Sequence, residues 1–233
     1  MRLHRFYVST PITEKRFDIA DRELVHQWRN VFRYNVGSQV ILFDGTGSDH
    51  VALITSLRNL GATVEIVETM SDIPKLSKNI WLCMGLIKKD NFELVVQKAT
   101  ELGVSHIVPV FCERSEKKNL NMERLQKIAV EASEQSGRAD IPKIHDIINF
   151  SELLDADILP NTAIALELLG ESLETYNKDK KLKELAVFVG SEGGFSPKEL
   201  EAFAGHNIPS ISLGSQVLRA ETAAIAVASL LLL

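Results

Sequence analysis

The sequence predicts an α/β protein whose main domain has a parallel β-sheet and follows a small N-terminal β-barrel. Short alternating or β-branched runs, separated by turn residues, occupy about the first 70 residues, which is typical of a small barrel. Strand-like and helix-like segments then alternate, as in a parallel sheet covered by helices. Glycine-containing loops follow two apolar strands near the C-terminus. We therefore expect two domains, residues 1–71 and 72–233, with a linker at residues 71–75.

The expected barrel consists of short strands and one helix. A helix over residues 22–32 would place Leu24, Trp28 and Val31 on one face. Asp-Gly and Leu-Gly turn sequences separate the later strands. The strands are expected at residues 3–8, 40–43, 51–57 and 63–67.

The α/β domain is expected to alternate between strands and helices. Its strands are expected at residues 80–84, 106–110, 162–166, 185–189 and 208–213. Its helices are expected at residues 90–102, where Gly103 ends the helix, at residues 122–136, and from Pro197 and Ala220 onward. Ligands of such folds bind beyond the C-terminal ends of the strands, so the loops there are the candidate site.

Charge is distributed unevenly along the chain. The formal net charge is −5, whereas residues 1–35 carry seven basic and four acidic residues, a net of +3. A basic head on an acidic body indicates that one region contacts phosphates, and a solvated face with chance asymmetry is the alternative. The candidate phosphate contacts are Arg2, Arg5, Arg29 and Arg33.

Hydropathy and cysteine usage predict a cytoplasmic protein with neither a membrane span nor a metal. No run of 18 apolar residues is present, and the N-terminus lacks the apolar stretch of a signal peptide. Cys83 and Cys112 have no CxxC spacing, which favours buried thiols over a disulfide or a metal site.

The loop at residues 190–196 leads into a well-specified helix start. Ser196 is the expected N-cap, Pro197 stands at the first helical position, and Glu199 completes a capping box. Phe195 is placed to pack on the first turn as a hydrophobic staple.

The same loop is expected to hold a ligand without phosphate. The capping box occupies amides at the helix start, and Glu192 adds negative charge where an anion would bind. Its glycines still allow close approach of the backbone to a ligand, although a simple tight turn is the alternative. S-adenosylmethionine, a nucleoside that carries a sulfonium, has the required chemistry.

A second loop, after the strand at residues 208–213, places two charged residues at the head of the last helix. The helix dipole opposes Arg219 there, and a residue placed against its local preference indicates function. The dipole favours Glu221, so a role in the helix start is its alternative. Residues 223–233 are apolar all round, and we expect them to be buried on every side, in the core or at a dimer interface.

The predicted helix at residues 122–136 is amphipathic. Leu125, Ile128 and Ala132 form its apolar stripe, and its polar side leads at helical spacing to Arg138. This pattern is open to two interpretations, a plain surface helix or part of a functional site.

Segments spread over nearly the whole chain match the motifs of a known family. They include residues 5–8, 33–37, 43–45, 97–104, 113–115 and 131–136, then Gly190 with residues 192–196, and finally residues 213–214 with 218–223. With these motifs the chain resembles the ribosomal small-subunit uridine-N3 methyltransferases (RsmE) of the SPOUT class. It departs from the family pattern at Ser191, where proline is usual, and at Phe32, where leucine is common.

The resemblance implies a fold, a cofactor and a set of site residues. It implies a PUA-like barrel that docks RNA, a SPOUT domain with a deep trefoil knot, a homodimer, and S-adenosylmethionine as the cofactor. The residues implied to line the cofactor pocket are Leu166, Glu167, Gly190, Glu192, Gly193, Gly194, Leu213, Gly214 and Leu218.

The implied reaction methylates N3 of a uridine in small-subunit (16S) ribosomal RNA, with the base unpaired or flipped out. N3 must lose its proton, and an arginine can stabilise the negative charge that spreads to the neighbouring carbonyl oxygens. Arg219 and Arg138 are the candidates for that role. Either the reaction needs no general base, or Glu221 is the candidate base. The acidic body favours an assembled subunit over free RNA as the substrate.

Other functions are still open at this point. A SPOUT ribose 2′-O methyltransferase acting on tRNA or rRNA would place the methyl group on the sugar. A non-catalytic RNA-binding or ribosome-assembly factor would not bind S-adenosylmethionine. An enzyme that binds phosphate at the glycine-rich loop would bind nucleotides.

Overall fold

The computed structural model describes residues 3–70, 78–116, 119–177 and 182–233. The chain divides into two compact units, the first comprising Met1–Lys75 and Ser133–Ile141 and the second comprising Leu76–Ala132 and Pro142–Leu233. Residues 133–141, which the sequence analysis assigned to the second domain, therefore belong to the first unit. The predicted linker at residues 71–75 lies outside the described residues.

The first unit is built on a five-stranded mixed sheet. Its strands are β1 (Arg5–Tyr7), β2 (Arg16–Ile19), β3 (Gln39–Phe43), β4 (Asp49–Leu57) and β5 (Ala62–Met70). They are ordered β1-β3-β4-β5-β2, with β1 parallel to β3 and the other neighbours antiparallel. Strand β2 was not predicted, because its few apolar residues give a weak alternating pattern. Closure of this sheet into a barrel stays a prediction.

The predicted helix of the first unit combines two helical forms. Helix α1 (Arg22–His26) continues directly into a π-helical turn (Gln27–Val31). Leu24 and Trp28 are buried as predicted, but Val31 is 66% exposed. A π-helical turn contains more residues than an α-helical turn, so it rotates Val31 away from the buried face.

The second unit contains a seven-stranded sheet. Its strands are β6 (Asn79–Gly85), β7 (His106–Phe111), β8 (Lys143–Ile144), β9 (Ile148–Asn149), β10 (Ala163–Ser172), β11 (Glu184–Val189) and β12 (Ser210–Ser212). The order is β12-β10-β11-β6-β7-β8, and β9 also pairs with β7. Each of these pairs is parallel, which confirms the predicted parallel sheet.

Strand β10 is longer than the predicted strand at residues 162–166. Its register against β12 shifts in the middle, so that Leu166 and Glu171 both pair with Ile211. The residues between them bulge out of the ladder. This irregularity brings Glu167 and Leu168 to the site described below.

The helices of the second unit agree with the sequence pattern where that pattern is long. They are α2 (Lys89–Leu102), α3 (Met122–Ser136), α4 (Phe150–Asp155), α5 (Leu173–Asn177), α6 (Pro197–Gly205) and α7 (Ala220–Leu232). The end of α3, from Ser133 onward, is counted with the first unit. Gly103 ends α2 with a φ of 102°, a left-handed conformation that suits glycine. Helices α4 and α5 were not predicted, since they are too short to show a helical period.

Helix α7 is buried on one side within the single chain, so burial of its other side at a dimer interface stays a prediction. Ala224, Val227 and Leu231 are buried, but Leu230 is 62% exposed, so the helix is not buried on every side of a single chain. It packs on α2 and the sheet through one face only. Among the helices of the described residues, none combines the length and the apolar character that a membrane span requires.

Candidate functional site

A cavity of about 610 Å³ lies beside the bulge of β10 and the C-terminal ends of β11 and β12. This is the edge of a parallel sheet at which ligands bind. Three segments form its walls: residues 166–168 in the β10 bulge, the glycine loop (residues 190–196), and the β12 loop (residues 213–219) with the start of α7. Its volume is in the range of small-molecule sites, roughly 300–1,000 Å³.

Most of the residues predicted to line a cofactor pocket meet at this cavity. Its wall includes Leu166, Glu167, Gly190, Glu192, Gly194, Leu213, Gly214 and Leu218. Gly193, the remaining predicted residue, is not among the residues that line the cavity, and its carbonyl oxygen accepts a hydrogen bond from Arg114 at 2.9 Å. Its contact with a cofactor stays a prediction.

Several residues of the cavity wall were not predicted from the sequence. Lys88 and Asn91 line the cavity at the beginning of α2. They follow the C-terminal end of β6, so the rule that ligands bind beyond the strand ends could have indicated them.

The glycine loop is compact. A Cβ atom on Gly190 would lie 3.0 Å from the backbone carbon of Gly194, so a side chain there would force the turn open. Within the turn, the Gly194 N–H donates to the Ser191 carbonyl oxygen at 2.9 Å.

The predicted capping box of α6 is present. The Ser196 hydroxyl accepts from the Glu199 N–H at 3.2 Å, and the Glu199 carboxylate accepts from the Ser196 N–H at 2.7 Å. The second oxygen of this buried carboxylate accepts from the Glu113 N–H at 2.8 Å. Amides at the helix start are therefore engaged, as expected for a loop that does not cradle phosphate.

Glu192 also has a structural partner. Its Oε1 atom accepts from the Lys88 N–H at 3.0 Å, at the N-cap of α2. The carboxylate lines the cavity and at the same time contributes negative charge to the positive end of the α2 dipole.

Arg219 and Glu221 face the cavity in contrasting environments. Arg219 is the exposed N-cap residue of α7, and its guanidinium has no hydrogen-bond or ion-pair partner among the described residues. Glu221 is only 8% exposed, yet its carboxylate also lacks a partner in the described part of the chain. Together with Glu192 it places negative charge on the cavity wall, which suits a ligand that carries positive charge or a proton donor.

Arg138 lies in the first unit. Its buried guanidinium binds both oxygens of Asp140, at 2.8 and 2.9 Å. Arg138 is therefore paired with a carboxylate, whereas Arg219 has no such partner among the described residues.

The predicted phosphate-binding arginines of the first unit differ in availability. Arg5 is buried in a bidentate ion pair with Asp49 and also donates to the Ser133 carbonyl oxygen at 3.1 Å. Its assignment to RNA binding is corrected, because its charge is neutralised inside the unit. Arg2 lies outside the described residues.

Arg29 and Arg33 remain available on the surface of the first unit. Both are exposed and line a shallow cavity of about 430 Å³ together with Tyr34. Arg29 forms a hydrogen bond to the Asn59 side chain, and Arg33 adopts a left-handed φ of 55°. This conformation is uncommon for a residue with a side chain and is found at functional surfaces.

Cys83 and Cys112 are free, buried thiols. Burial raises the pKa of Cys112 to about 12, so its thiol stays protonated at neutral pH. The described residues contain no group of three or more His, Cys, Asp or Glu side chains arranged to hold a metal ion.

Known proteins resemble this chain along nearly its full length. A family model described as "RNA methyltransferase domain" matches residues 74–232. The chain is 33% identical to Ribosomal RNA small subunit methyltransferase E from Rickettsia conorii, covering 97% of this chain and 93% of the relative. The protein of the same name from Bacillus subtilis is 28% identical, covering 89% and 86%.

A solved structure extends the likeness to the fold. The crystal structure of Ribosomal RNA small subunit methyltransferase E from Neisseria gonorrhoeae bound to S-adenosyl methionine matches with a TM-score of 0.88 and 28% identity. The match covers 99% of this chain and 97% of that chain, so it includes residues of both units.

Proposed function

The chain belongs to the RNA methyltransferase domain family and, within it, to the ribosomal RNA small subunit methyltransferases E, and on that basis we propose that it methylates N3 of a uridine in 16S ribosomal RNA. It is an enzyme that takes the methyl group from S-adenosylmethionine. The observation that carries this proposal is the cavity beside the β10 bulge and the ends of β11 and β12, where eight residues expected from the family motifs meet.

The cavity fits S-adenosylmethionine in size and in chemistry. Leu166, Ile211 and Leu213 provide apolar surface for a nucleoside. Glu192 and the buried Glu221 provide negative charge, which favours a cationic ligand over a phosphate. When bound, S-adenosylmethionine supplies a methyl group that its sulfonium has already activated.

The protein contributes position and electrostatics to the reaction. The walls of the cavity hold the reactants in line, which lowers the entropic barrier to transfer. Glu221 accepts the proton of uridine N3, and Arg219 stabilises the negative charge that develops on the flanking carbonyl oxygens. Arg138 is the alternative for that second role, although its charge is already paired with Asp140.

The first unit is proposed to dock the RNA. Arg29 and Arg33 contact phosphates, while the net charge of −5 keeps affinity for arbitrary RNA low. This distribution favours the assembled small subunit in the cytoplasm as the substrate. We expect the first unit to be the PUA-like barrel and the second unit to be the knotted SPOUT domain that the family motifs imply.

A homodimer completes the proposal. Leu230 in α7 is 62% exposed, and Leu233, which follows the helix, is 91% exposed. These side chains leave apolar surface for a second copy of the chain. Light scattering coupled to size-exclusion chromatography would give the mass of one chain instead of two if this part of the proposal is wrong.

The reaction is tested by product analysis. The protein is incubated with labelled S-adenosylmethionine and small subunits that lack the modification, and the digested RNA is analysed by mass spectrometry. We expect label in 3-methyluridine. Label in a ribose-methylated nucleoside would favour the 2′-O reaction, and absence of both label and cofactor binding would favour a non-catalytic RNA-binding factor.

A further inference from the structure

The segment after β7 braces the glycine loop from behind. The guanidinium Nη1 of Arg114 donates to the carbonyl oxygens of Gly193 and Phe195, at 2.9 and 3.1 Å. In return, the Ser191 hydroxyl donates to the Arg114 carbonyl oxygen at 3.0 Å. Arg114 has no ion-pair partner among the described residues, so its charge is directed at these two carbonyls.

Arg114 acts from outside the cavity. Residues on both sides of Gly193 line the cavity, whereas Arg114 and Gly193 do not. A Cβ atom on Gly193 would lie 3.1 Å from Cβ and 3.3 Å from Cδ of Arg114. Position 193 therefore favours glycine because the Arg114 side chain lies against it.

The two accepted hydrogen bonds fix two peptide planes of the loop. The C=O and N–H of one peptide unit point in opposite directions, so holding a carbonyl also aims the following N–H. Beyond Gly193, the N–H of Gly194 closes the turn onto the Ser191 carbonyl oxygen at 2.9 Å. Beyond Phe195, the N–H of Ser196 donates to Glu199 at 2.7 Å. Arg114 thus supports the turn and the helix start together.

We propose that Arg114 is a positioning residue that holds the glycine loop in the shape that binds S-adenosylmethionine, with the buried Ser191 hydroxyl as its second anchor. The inference rests on the proposed function, since it concerns the same cavity. It assigns no contact between Arg114 and the cofactor or the RNA.

The test compares Arg114→Ala, Arg114→Lys and Ser191→Ala with a matched control. Arg124→Ala removes another exposed arginine of the same unit, one that pairs with Glu93 at 3.4 Å and does not line the cavity. Calorimetry gives the Kd for S-adenosylmethionine, and hydrogen exchange without cofactor reports on the amides of residues 190–196. Circular dichroism and Tm establish that each variant is folded.

We expect Arg114→Ala to raise the Kd about 10-fold or more, because two hydrogen bonds from a charged donor are lost. Exchange at residues 190–196 should accelerate, while exchange in β6 and α2 of the same unit and kcat at saturating cofactor stay near wild type. Arg114→Lys should recover part of the affinity, since a lysine still donates, and Ser191→Ala should show a smaller loss. Arg124→Ala should match wild type.

Unchanged Kd and unchanged loop exchange in folded Arg114→Ala would overturn the proposal. So would faster exchange spread over the whole unit, which would make Arg114 an ordinary stabilising residue. Failure of the wild-type protein to bind S-adenosylmethionine would instead refute the proposed function, and the inference with it.

Discussion

The two loops that wall the cavity differ in how firmly the second unit holds them. The glycine loop buries Ser191, Phe195 and Ser196 and receives hydrogen bonds from the segment after β7. The β12 loop is exposed from Gly214 to Arg219, and among the described residues its side-chain hydrogen bonds are those between Ser212 and Gly214. One wall is therefore formed in advance, while the other has few contacts that would fix it.

This difference indicates that the glycine loop serves mainly to bind the cofactor and the β12 loop mainly to act on the second substrate. A braced loop gives a cofactor a ready surface and reduces the entropy lost on binding. An exposed loop with an unpaired arginine is suited to contact a second, larger substrate. The same contrast divides the arginines of the first unit, since Arg5 is locked to Asp49 whereas Arg33 faces solvent.

Arg219→Ala should have the largest effect on the reaction. Removing a charge that stabilises the transition state should lower kcat about 10²–10³-fold, with the Kd for S-adenosylmethionine within about twofold of wild type. Single-turnover methylation of small subunits and calorimetry measure the two quantities. An equal loss of rate and affinity would refute the division between the two loops.

Glu221→Gln should lower the rate about 10²-fold, because the amide keeps the shape of the side chain but cannot take the N3 proton. Raising the pH should restore part of the rate, since the N3 proton then leaves unaided. Rates measured across the pH range for both proteins check this. A variant with a wild-type rate at neutral pH would remove Glu221 from the mechanism.

Gly190→Ala should weaken binding of S-adenosylmethionine about 10-fold, because the added Cβ would push against Gly194 and open the braced loop. Gly205→Ala is the matched control, since a Cβ there meets no atom within 4 Å. Calorimetry on both variants makes the comparison. Equal affinities would show that the shape of the glycine loop does not control binding.

Arg33→Gln should have the smallest effect. It should weaken RNA affinity modestly and flatten the slope of log affinity against log salt by about one unit. Arg5→Gln should lower Tm instead, because it leaves the buried Asp49 without its cation. An unchanged salt slope for both Arg29→Gln and Arg33→Gln would exclude this surface from RNA binding.

Features of the site that depend on neighbouring residues were predicted correctly from the sequence, whereas contacts between residues far apart in the sequence were not. The start of α6 at Ser196 and Glu199 follows from residues three positions apart, so the sequence alone identifies it. The partners of Arg5 and Gly193 lie 44 and 79 residues away, and no local pattern reveals such contacts. The role predicted for Arg5 was therefore wrong, and the contact of Gly193 with Arg114 was not predicted, although both residues belong to recognisable motifs.

The fold shows the same limit. Long amphipathic helices such as α2 and α3 were predicted within a residue or two, whereas the short strand β2 and the π-helical turn at Gln27–Val31 were not. The joining of Ser133–Ile141 to the first unit depends on tertiary contacts such as the hydrogen bond from the Tyr7 N–H to Glu134 at 2.8 Å. Periodicity contains no information on such contacts.

Hydrogen exchange with and without S-adenosylmethionine tests the contrast between the two loops most directly. The account predicts that amides at residues 190–196 are already protected in the free protein and change little when the cofactor binds. Amides at residues 214–219 should exchange fast in the free protein and slow down on binding. A glycine loop that exchanges as fast as the β12 loop before the cofactor is added would contradict the account.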